Sequence, residues 1–234
     1  MKKIAFVVEG QTEQIFVNRF IQEVISGGHP CHIVWKQVNG GQTSTLTKRG
    51  HPEEDATHVI WIINAHGDDN TLSYIEDNIE SFKKRGFQAV FGLRDRYTGD
   101  KKKPPVDPDA IDGRTRLLTS THGLQIEVTV AVQEIEAWFL SVPAFFEKYD
   151  KSLTVTNIKQ MIGLDLSVAD VESVGHPATV IHKVLESVSL AYKKRLDDAH
   201  KIANALDYAA LYADRASKIK PLGRFVGHLT SALA

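Results

Sequence analysis

The sequence predicts an α/β fold, with a mostly parallel sheet flanked by helices and a helical region after it. Short, continuous apolar runs at 4–8, 59–63 and 89–93 are typical of strands buried on both faces. Segments with helical spacing separate these runs, as in chains that form parallel sheets. We therefore expect an α/β domain over residues 1–140 and a helical C-terminal region over residues 141–234 that packs on it.

The first strand and helix bring two carboxylates to one turn. The run 4–8 ends at Glu9, and a helical pattern follows. We expect Thr12 to cap this helix and Glu13 to lie in its first turn, where a carboxylate interacts favourably with the helix dipole. Ligands of open α/β sheets bind where the strands end at their carboxyl edge. Glu9 is therefore a candidate site residue, although a solvated turn is the alternative.

The middle of the domain predicts a second and a third strand. Residues 32–38 have the composition of a strand, and the glycines and polar residues of 39–55 predict a loop. The run 59–63 is the strongest buried-strand signal in the chain. A polar loop at 64–70 follows it, and a helix is expected from there to about Arg85.

The next strand, around 89–93, also delivers a carboxylate, Asp95, at its carboxyl end. The loop that follows is basic and interrupted by prolines, which suits contact with a phosphate backbone, although a plain solvated loop is the alternative. Its three lysines are Lys101, Lys102 and Lys103. A helix is expected over residues 107–121.

The last predicted strand, 125–133, alternates apolar and polar residues and is followed by Glu134 and Glu136. If the strand continues to residue 136, both glutamates face the same side. If it ends at about 133, helical geometry separates them by roughly 200°. We expect Glu134 to face the site because it lies closest to the end of the strand.

Acids at the ends of adjacent parallel strands predict a carboxylate cluster. Such carboxylates raise one another's pKa, and a bound divalent cation removes the repulsion. Mg²⁺ and Mn²⁺ prefer these hard oxygen ligands. The chain contains no G-x-S-x-G and no phosphate-binding G-x-x-x-x-G-K-[ST], so the sequence favours neither a serine nucleophile at such an elbow nor ATP hydrolysis by that loop.

Three segments together resemble the TOPRIM fold of topoisomerases, bacterial primases and overcoming-lysogenization-defect (OLD) nucleases. They are VVEGQTE at 7–13, LRDRYTGD at 93–100 and VQEIEAWFL at 132–140. The chain is most similar to a stand-alone TOPRIM-like family, a domain of unknown function. Its members also end in a helical stretch like KIKPLGRFVGHL, here at 218–229.

The resemblance implies a Mg²⁺- or Mn²⁺-dependent nuclease, with a role in phage defence. It makes Glu9 and Asp95 catalytic residues. The metal ligands that it implies are Glu9, Glu13, Asp95, Glu134 and Glu136. His66 and Lys103 become candidate phosphate contacts. One position departs from the pattern, because Tyr97 stands where the second aspartate of Asp-x-Asp is usual, and Glu134, Glu136 or Asp100 would have to replace that ligand.

Composition restricts the partners and the location. The 234 residues carry a net charge of -1 and one cysteine, and no stretch approaches the roughly 20 apolar residues of a membrane helix. We expect a cytoplasmic protein without a membrane partner that uses local basic surface to bind nucleic acid. The basic residues of the second half are Lys193, Lys194, Arg195, Arg215, Lys218, Lys220 and Arg224. If nucleic acid is the substrate, we expect all of them except Arg215 on a surface that flanks the acids, and a scattered solvated set is the alternative.

Two alternatives stay open at this point. One is a non-catalytic TOPRIM-like module that binds nucleic acid or a partner ATPase, which Tyr97 favours. The other is a different metal-dependent phosphotransfer enzyme.

Overall fold

A computed structural model, which describes residues 1–25, 29–67, 70–97 and 104–233, contains a six-stranded sheet. The strand order is β3-β2-β4-β1-β5-β6. The strands are β1 (Lys2–Val8), β2 (Cys31–Asn39), β3 (Gln42–Gly50), β4 (His58–Asn64), β5 (Ala89–Asp95) and β6 (Gln125–Ala131). All neighbouring pairs are parallel except β2 with β3. The predicted fold class is therefore confirmed.

Helices cover both faces of the sheet and make up the C-terminal region. They are α1 (Gln11–Phe20), α2 (Asn70–Lys84), α3 (Pro108–His122), α4 (Glu136–Leu140), α5 (Val155–Ile162), α6 (Pro177–Glu186), α7 (Leu196–Ala205), α8 (Tyr208–Ala210), α9 (Ala216–Lys218) and α10 (Lys220–Leu233). A π-helical turn continues α1, and another joins α8 to α9. Among the described residues, no helix is both long and apolar enough to cross a membrane.

The prediction of a loop over residues 39–55 is wrong, because β3 lies within it. Gly40 and Gly41 form a two-residue turn with φ of 54° and 78°, and β3 returns antiparallel to β2. Positive φ at both turn residues matches the twist of a tight hairpin and suits glycine. The strand is exposed along nearly its whole length, so it lacks the apolar alternation by which a half-buried strand is recognised in sequence.

The two faces of the sheet belong to two separate cores. Alternate residues of β1 point in opposite directions, so Phe6 joins one core and Val7 the other. The helices α2 and α3 cover the Val7 face. On the other face, α1 and the C-terminal helices share one core with the sheet. Phe225 of α10 lies at its centre, with its ring centroid 5.9 Å from that of Phe16.

A loop of nine residues separates α6, which ends at Glu186, from α7, which begins at Leu196. Ser189 and Lys194 between them adopt positive φ, of 62° and 52°. Helical backbone does not allow these conformations, so the segment forms a loop. This loop brings Lys194 to the carboxyl edge of the sheet, where the acids lie.

Two glycines of α10 provide a test of how closely this helix packs. A Cβ on Gly223 would lie 2.4 Å from the Ala216 carbonyl oxygen, whereas a Cβ on Gly227 would meet nothing within 4 Å. We expect Gly223→Ala to lower the free energy of unfolding by about 1–3 kcal/mol, because backbone must shift. Gly227→Ala is the matched control and should raise it by about 0.5–1 kcal/mol, since alanine favours helix interiors. Urea unfolding of both variants measures the difference, and equal effects would contradict the close packing.

Candidate functional site

The first two acids meet where adjacent strands end. Glu9 directly follows β1, and Asp95 is the last residue of β5, which pairs with β1 in parallel. The backbone N–H of Asp95 donates a hydrogen bond to Glu9 Oε2 at 3.0 Å. Asp95 is 8% exposed. The parallel pairing therefore brings together two acids that are 86 residues apart in the chain.

The turn after β1 directs Glu13 back toward the strand end. The N-cap of α1 is Gly10, so the prediction that Thr12 caps this helix is wrong. Glu13 accepts hydrogen bonds from the backbone of Gly10 and from its own backbone, which resembles the glutamate half of a capping box. A Cβ on Gly10 would lie 3.0 Å from Glu13 Oε2. Glycine at this position therefore gives the carboxylate room to fold against the turn.

Two further carboxylates reach Asp95 from the segment after β6. Asp95, Glu134 and Glu136 each place one oxygen within 4.8 Å of the others. The backbone N–H of Ile135, between the two glutamates, donates to Asp95 Oδ1 at 2.9 Å. β6 ends at Ala131, and both glutamates nevertheless reach the cluster. Helical geometry does not separate them, because Glu134 lies before the first residue of α4, and both glutamates contact a shared partner.

That partner is Lys194, whose ammonium bridges the two glutamates. Its Nζ lies 3.0 Å from Glu134 Oε1 and 3.1 Å from Glu136 Oε2. Tyr192 donates its hydroxyl proton to Glu136 Oε1 at 2.7 Å. Sequence analysis identified Lys194 only as one of the basic residues of the second half, and no pattern in the sequence indicated Tyr192. Tertiary contact from the loop before α7 is what brings both residues into the cluster.

Burial and mutual repulsion change the proton affinities of the cluster. Burial, followed by the charge of Glu136, raises the pKa of Glu13 to about 7. Burial, followed by the charges of Glu13 and Glu136, raises the pKa of Asp95 well above its ordinary value. Burial alone would lower the pKa of Lys194, but the surrounding carboxylates outweigh it and raise that pKa. Lys194 therefore stays charged at neutral pH, and Glu13 keeps its proton to a higher pH than an ordinary glutamate does.

The raised pKa of Glu13 predicts a pH-dependent stability. The folded protein binds this proton more tightly than the unfolded chain does, so stability falls as pH rises from about 4.5 to about 7. We expect Glu13→Gln, without added metal, to unfold a few degrees higher than the unsubstituted protein at pH 8. At pH 4.5 the difference should be much smaller. At pH 8 the substitution should raise the free energy of unfolding by about 1–3 kcal/mol, and each kcal/mol raises the unfolding temperature by about 2–4 °C for a chain of this size.

Thermal unfolding across this pH range measures the effect of Glu13. The control is Glu53→Gln, which removes an exposed glutamate outside the cluster and should not alter the pH profile. A Glu13→Gln protein with the same pH profile as the unsubstituted one would contradict the raised pKa.

The other sequence candidates lie elsewhere or outside the described residues. Lys101, Lys102, Lys103 and Asp100 fall outside them. His66 is exposed, with φ of 57°, and Tyr97 is 44% exposed. Arg224 forms a two-pronged ion pair with Asp112, and Lys218 pairs with Asp214. Of the basic residues expected beside the acids, Lys194 is therefore the one that the structure shows in contact with them.

Comparisons with known proteins identify a family and a distant structural neighbour. No curated protein matches the chain. Hypothetical protein PH0156 from Pyrococcus horikoshii matches over 100% of both chains, at 13% identity and a TM-score of 0.50, and thus shares the fold. A protein provisionally described as a cell surface hydrolase from Lactobacillus plantarum shares 14% identity at a TM-score of 0.32. That match covers 56% of this chain and about half, 53%, of the hydrolase. A family profile matches residues 8–217, and the chain therefore belongs to the family described as domain of unknown function DUF4276.

Proposed function

We propose that this protein is a Mg²⁺- or Mn²⁺-dependent nuclease of TOPRIM type, related to the OLD nucleases, that hydrolyses phosphodiester bonds. The observation that carries the proposal is the convergence of Asp95, Glu134 and Glu136 at the carboxyl edge of the sheet, with oxygens within 4.8 Å of one another. Ligands of open α/β sheets bind at this edge. A cytoplasmic location and a role in phage defence form part of the same proposal.

The donor set fits a hard divalent cation. Glu9 and Glu13 lie beside the three clustered acids, and in the described part of the chain the carboxylates outnumber the ammonium group of Lys194, which pairs with Glu134 and Glu136. This excess of negative charge in a buried setting is what a divalent cation relieves. Asp95, Glu134 and Glu136 would hold the first ion, and Glu9 and Glu13 a second. The bound metal would supply Lewis-acid stabilisation of the phosphoryl oxygens and a water of lowered pKa.

The chain's own side chains have separate roles in this proposal. Glu13, whose pKa burial and the charge of Glu136 raise to about 7, is a carboxylate whose negative charge the second ion would stabilise. Lys194 carries the positive charge that stabilises the negatively charged phosphate as the bond breaks. Its side chain is 37% exposed, so a substrate can reach it. Tyr192 positions Glu136.

Tyr97 does not weigh against the proposal. The usual second aspartate would contribute one carboxylate after β5, and Tyr97 instead leaves that position without an acid. Glu134 and Glu136 supply two carboxylates from the neighbouring segment. The cluster therefore keeps enough oxygen donors for the one or two protein carboxylates that Mg²⁺ usually takes.

Chelator-sensitive cleavage tests the proposal. Purified protein is incubated with single-stranded and double-stranded DNA and RNA, with Mg²⁺, with Mn²⁺, and with excess chelator. We expect cleavage of at least one substrate with metal and none with chelator. Absence of cleavage across the panel, in a protein whose unfolding temperature does not rise with Mn²⁺, would reject both the nuclease and the metal site.

One observation favours a non-catalytic module as the second candidate. Lys194 already pairs with Glu134 and Glu136, so the cluster is partly neutralised without metal. Such a module would bind nucleic acid or a partner ATPase through the same edge of the sheet. Cleavage of small nucleotides without cleavage of nucleic acid would instead indicate a different phosphotransfer enzyme.

A further inference from the structure

A group of cations surrounds one tryptophan on the opposite face of the sheet from the acid cluster. Trp61 lies in the middle of β4, on the face that α2 partly covers. The Lys36 ammonium lies 4.0 Å from the centre of its ring, and the Arg85 guanidinium 5.5 Å. Val34 and Lys36 are alternate residues of β2 and therefore point to the same face of the sheet. Lys48 of β3 pairs with Val34, so its side chain also points to that face. We call Lys36, Lys48, Arg85 and Trp61 the Trp61 patch.

The patch is distinct from the acid cluster because the two lie on different faces. Asp95 follows Phe91 and Leu93 at alternate positions of β5, and both of these belong to the core that α1 and α10 share. Trp61 and Ile63 of β4 belong to the other core. On that face α2 packs on β1 and β5, and α3 packs on β6. The part of this face that β2 and β3 form extends past α2 and α3, and it ends at the exposed strand β3.

Within the part of the chain that the structure describes, the cations of the patch repel one another without a neutralising acid. Among the described residues, no carboxylate forms an ion pair with Lys36, Lys48 or Arg85. Burial, followed by the charges of Arg85 and Lys48, lowers the pKa of Lys36. The three cations are therefore close enough to disfavour one another, and an added anion would relieve that repulsion.

The indole ring holds two of these cations while leaving them able to donate hydrogen bonds. A cation–π contact uses the charge of the group and the face of the ring, and it occupies no N–H donor. Lys36 donates to the Thr45 hydroxyl at 3.1 Å, which uses one of its three protons. The Arg85 Nε–H points to the Ser81 hydroxyl at 3.5 Å, and Arg85 is exposed. Cations held in this way are suited to phosphate oxygens.

We propose that the Trp61 patch binds the phosphodiester backbone of a single-stranded nucleic acid. Charge complementarity selects a polyanion, and several cations along an open sheet face suit successive phosphates better than one isolated anion. The partly exposed indole adds an aromatic surface of the kind that bases contact in single strands. The inference rests on the proposed nuclease only for the choice of nucleic acid among polyanions.

Binding to fluorescein-labelled single-stranded DNA and RNA of mixed sequence, measured by fluorescence anisotropy, tests the inference. Chelator is present throughout, so that cleavage cannot interfere. The double variant Lys36→Glu, Arg85→Glu should weaken binding on the order of tenfold or more, and it should reduce the salt dependence by about 0.7 per lost phosphate contact. The control Lys151→Glu, Lys183→Glu changes the net charge equally on two exposed residues of the C-terminal region, and should bind nearly as the unsubstituted protein does.

The remaining outcomes either support or overturn the inference. Lys36→Gln, Arg85→Gln removes both positive charges without adding acids, and it should weaken binding in the same direction if charge reversal prevents folding. Equal loss in the patch variants and the control, or no loss in the patch variants, would overturn the patch as a binding surface. Competition by polyglutamate as strong as by unlabelled DNA would overturn nucleic acid as its ligand. If the protein binds through the patch but never cleaves, the nuclease proposal alone fails.

Discussion

Replacing Asp95 by asparagine is expected to reduce metal-dependent cleavage by a hundredfold or more. Asp95 forms hydrogen bonds to Glu9 and to the backbone between Glu134 and Glu136. It also contributes one of the three carboxylates whose oxygens lie within 4.8 Å of one another. An amide oxygen is a weaker ligand for a hard divalent cation than a carboxylate, and loss of a ligand removes the charge stabilisation that the metal supplies. The reduction is therefore on the order of 10²-fold at the least, and it should appear in kcat.

The same substitution should leave the fold intact. The side-chain oxygen of asparagine can still accept the hydrogen bond from the Ile135 backbone, and the change removes one source of repulsion in a buried cluster. Asp107→Asn is the matched control, because Asp107 caps α3 through its side chain and asparagine caps helices equally well. If the Asp95→Asn protein cleaves nucleic acid at the same rate as the unsubstituted protein, the proposed site is wrong.

Replacing Lys194 by methionine is expected to destabilise the protein without metal and to make it depend on a divalent cation. Glu136 is 0% exposed, and the substitution removes the ammonium that faces it and Glu134. Removal of one partner from a fully buried ion pair costs about 3–5 kcal/mol. The Lys194 side chain is 37% exposed, so water screens part of the interaction, and we expect about 1–3 kcal/mol at pH 8.

Added Mn²⁺ should restore much of the stability lost in the Lys194→Met protein. A divalent ion between the carboxylates offsets the same repulsion that the lysine offsets. Urea unfolding at pH 8, with and without Mn²⁺, measures this recovery. Lys159→Met is the control, because its ion pair with Asp165 lies at the surface and should contribute only about 0–1 kcal/mol. Equal destabilisation with and without Mn²⁺ would show that these carboxylates do not bind the ion.

The sequence predicted the central part of the fold because its strands carry strong local signals. Buried parallel strands are continuous apolar runs, and those of β1, β4 and β5 were recognised within two residues of their observed ends. It missed β3, whose exposed residues carry no core-facing pattern. It also missed the loop after α6, because positive φ at non-glycine residues is imposed by tertiary contacts.

By itself, the sequence determined which acids lie at the carboxyl edge of the sheet. An acid that directly follows a buried parallel strand must lie at that edge, so Glu9 and Asp95 could be placed from local pattern alone. Only the tertiary structure decided which groups complete the cluster. Lys194 and Tyr192 come from a loop about 60 residues beyond Glu134 and Glu136, and they approach because the C-terminal helices share a core with α1. Long-range packing of this kind has no local sequence signature, since it depends on how distant apolar faces fit together.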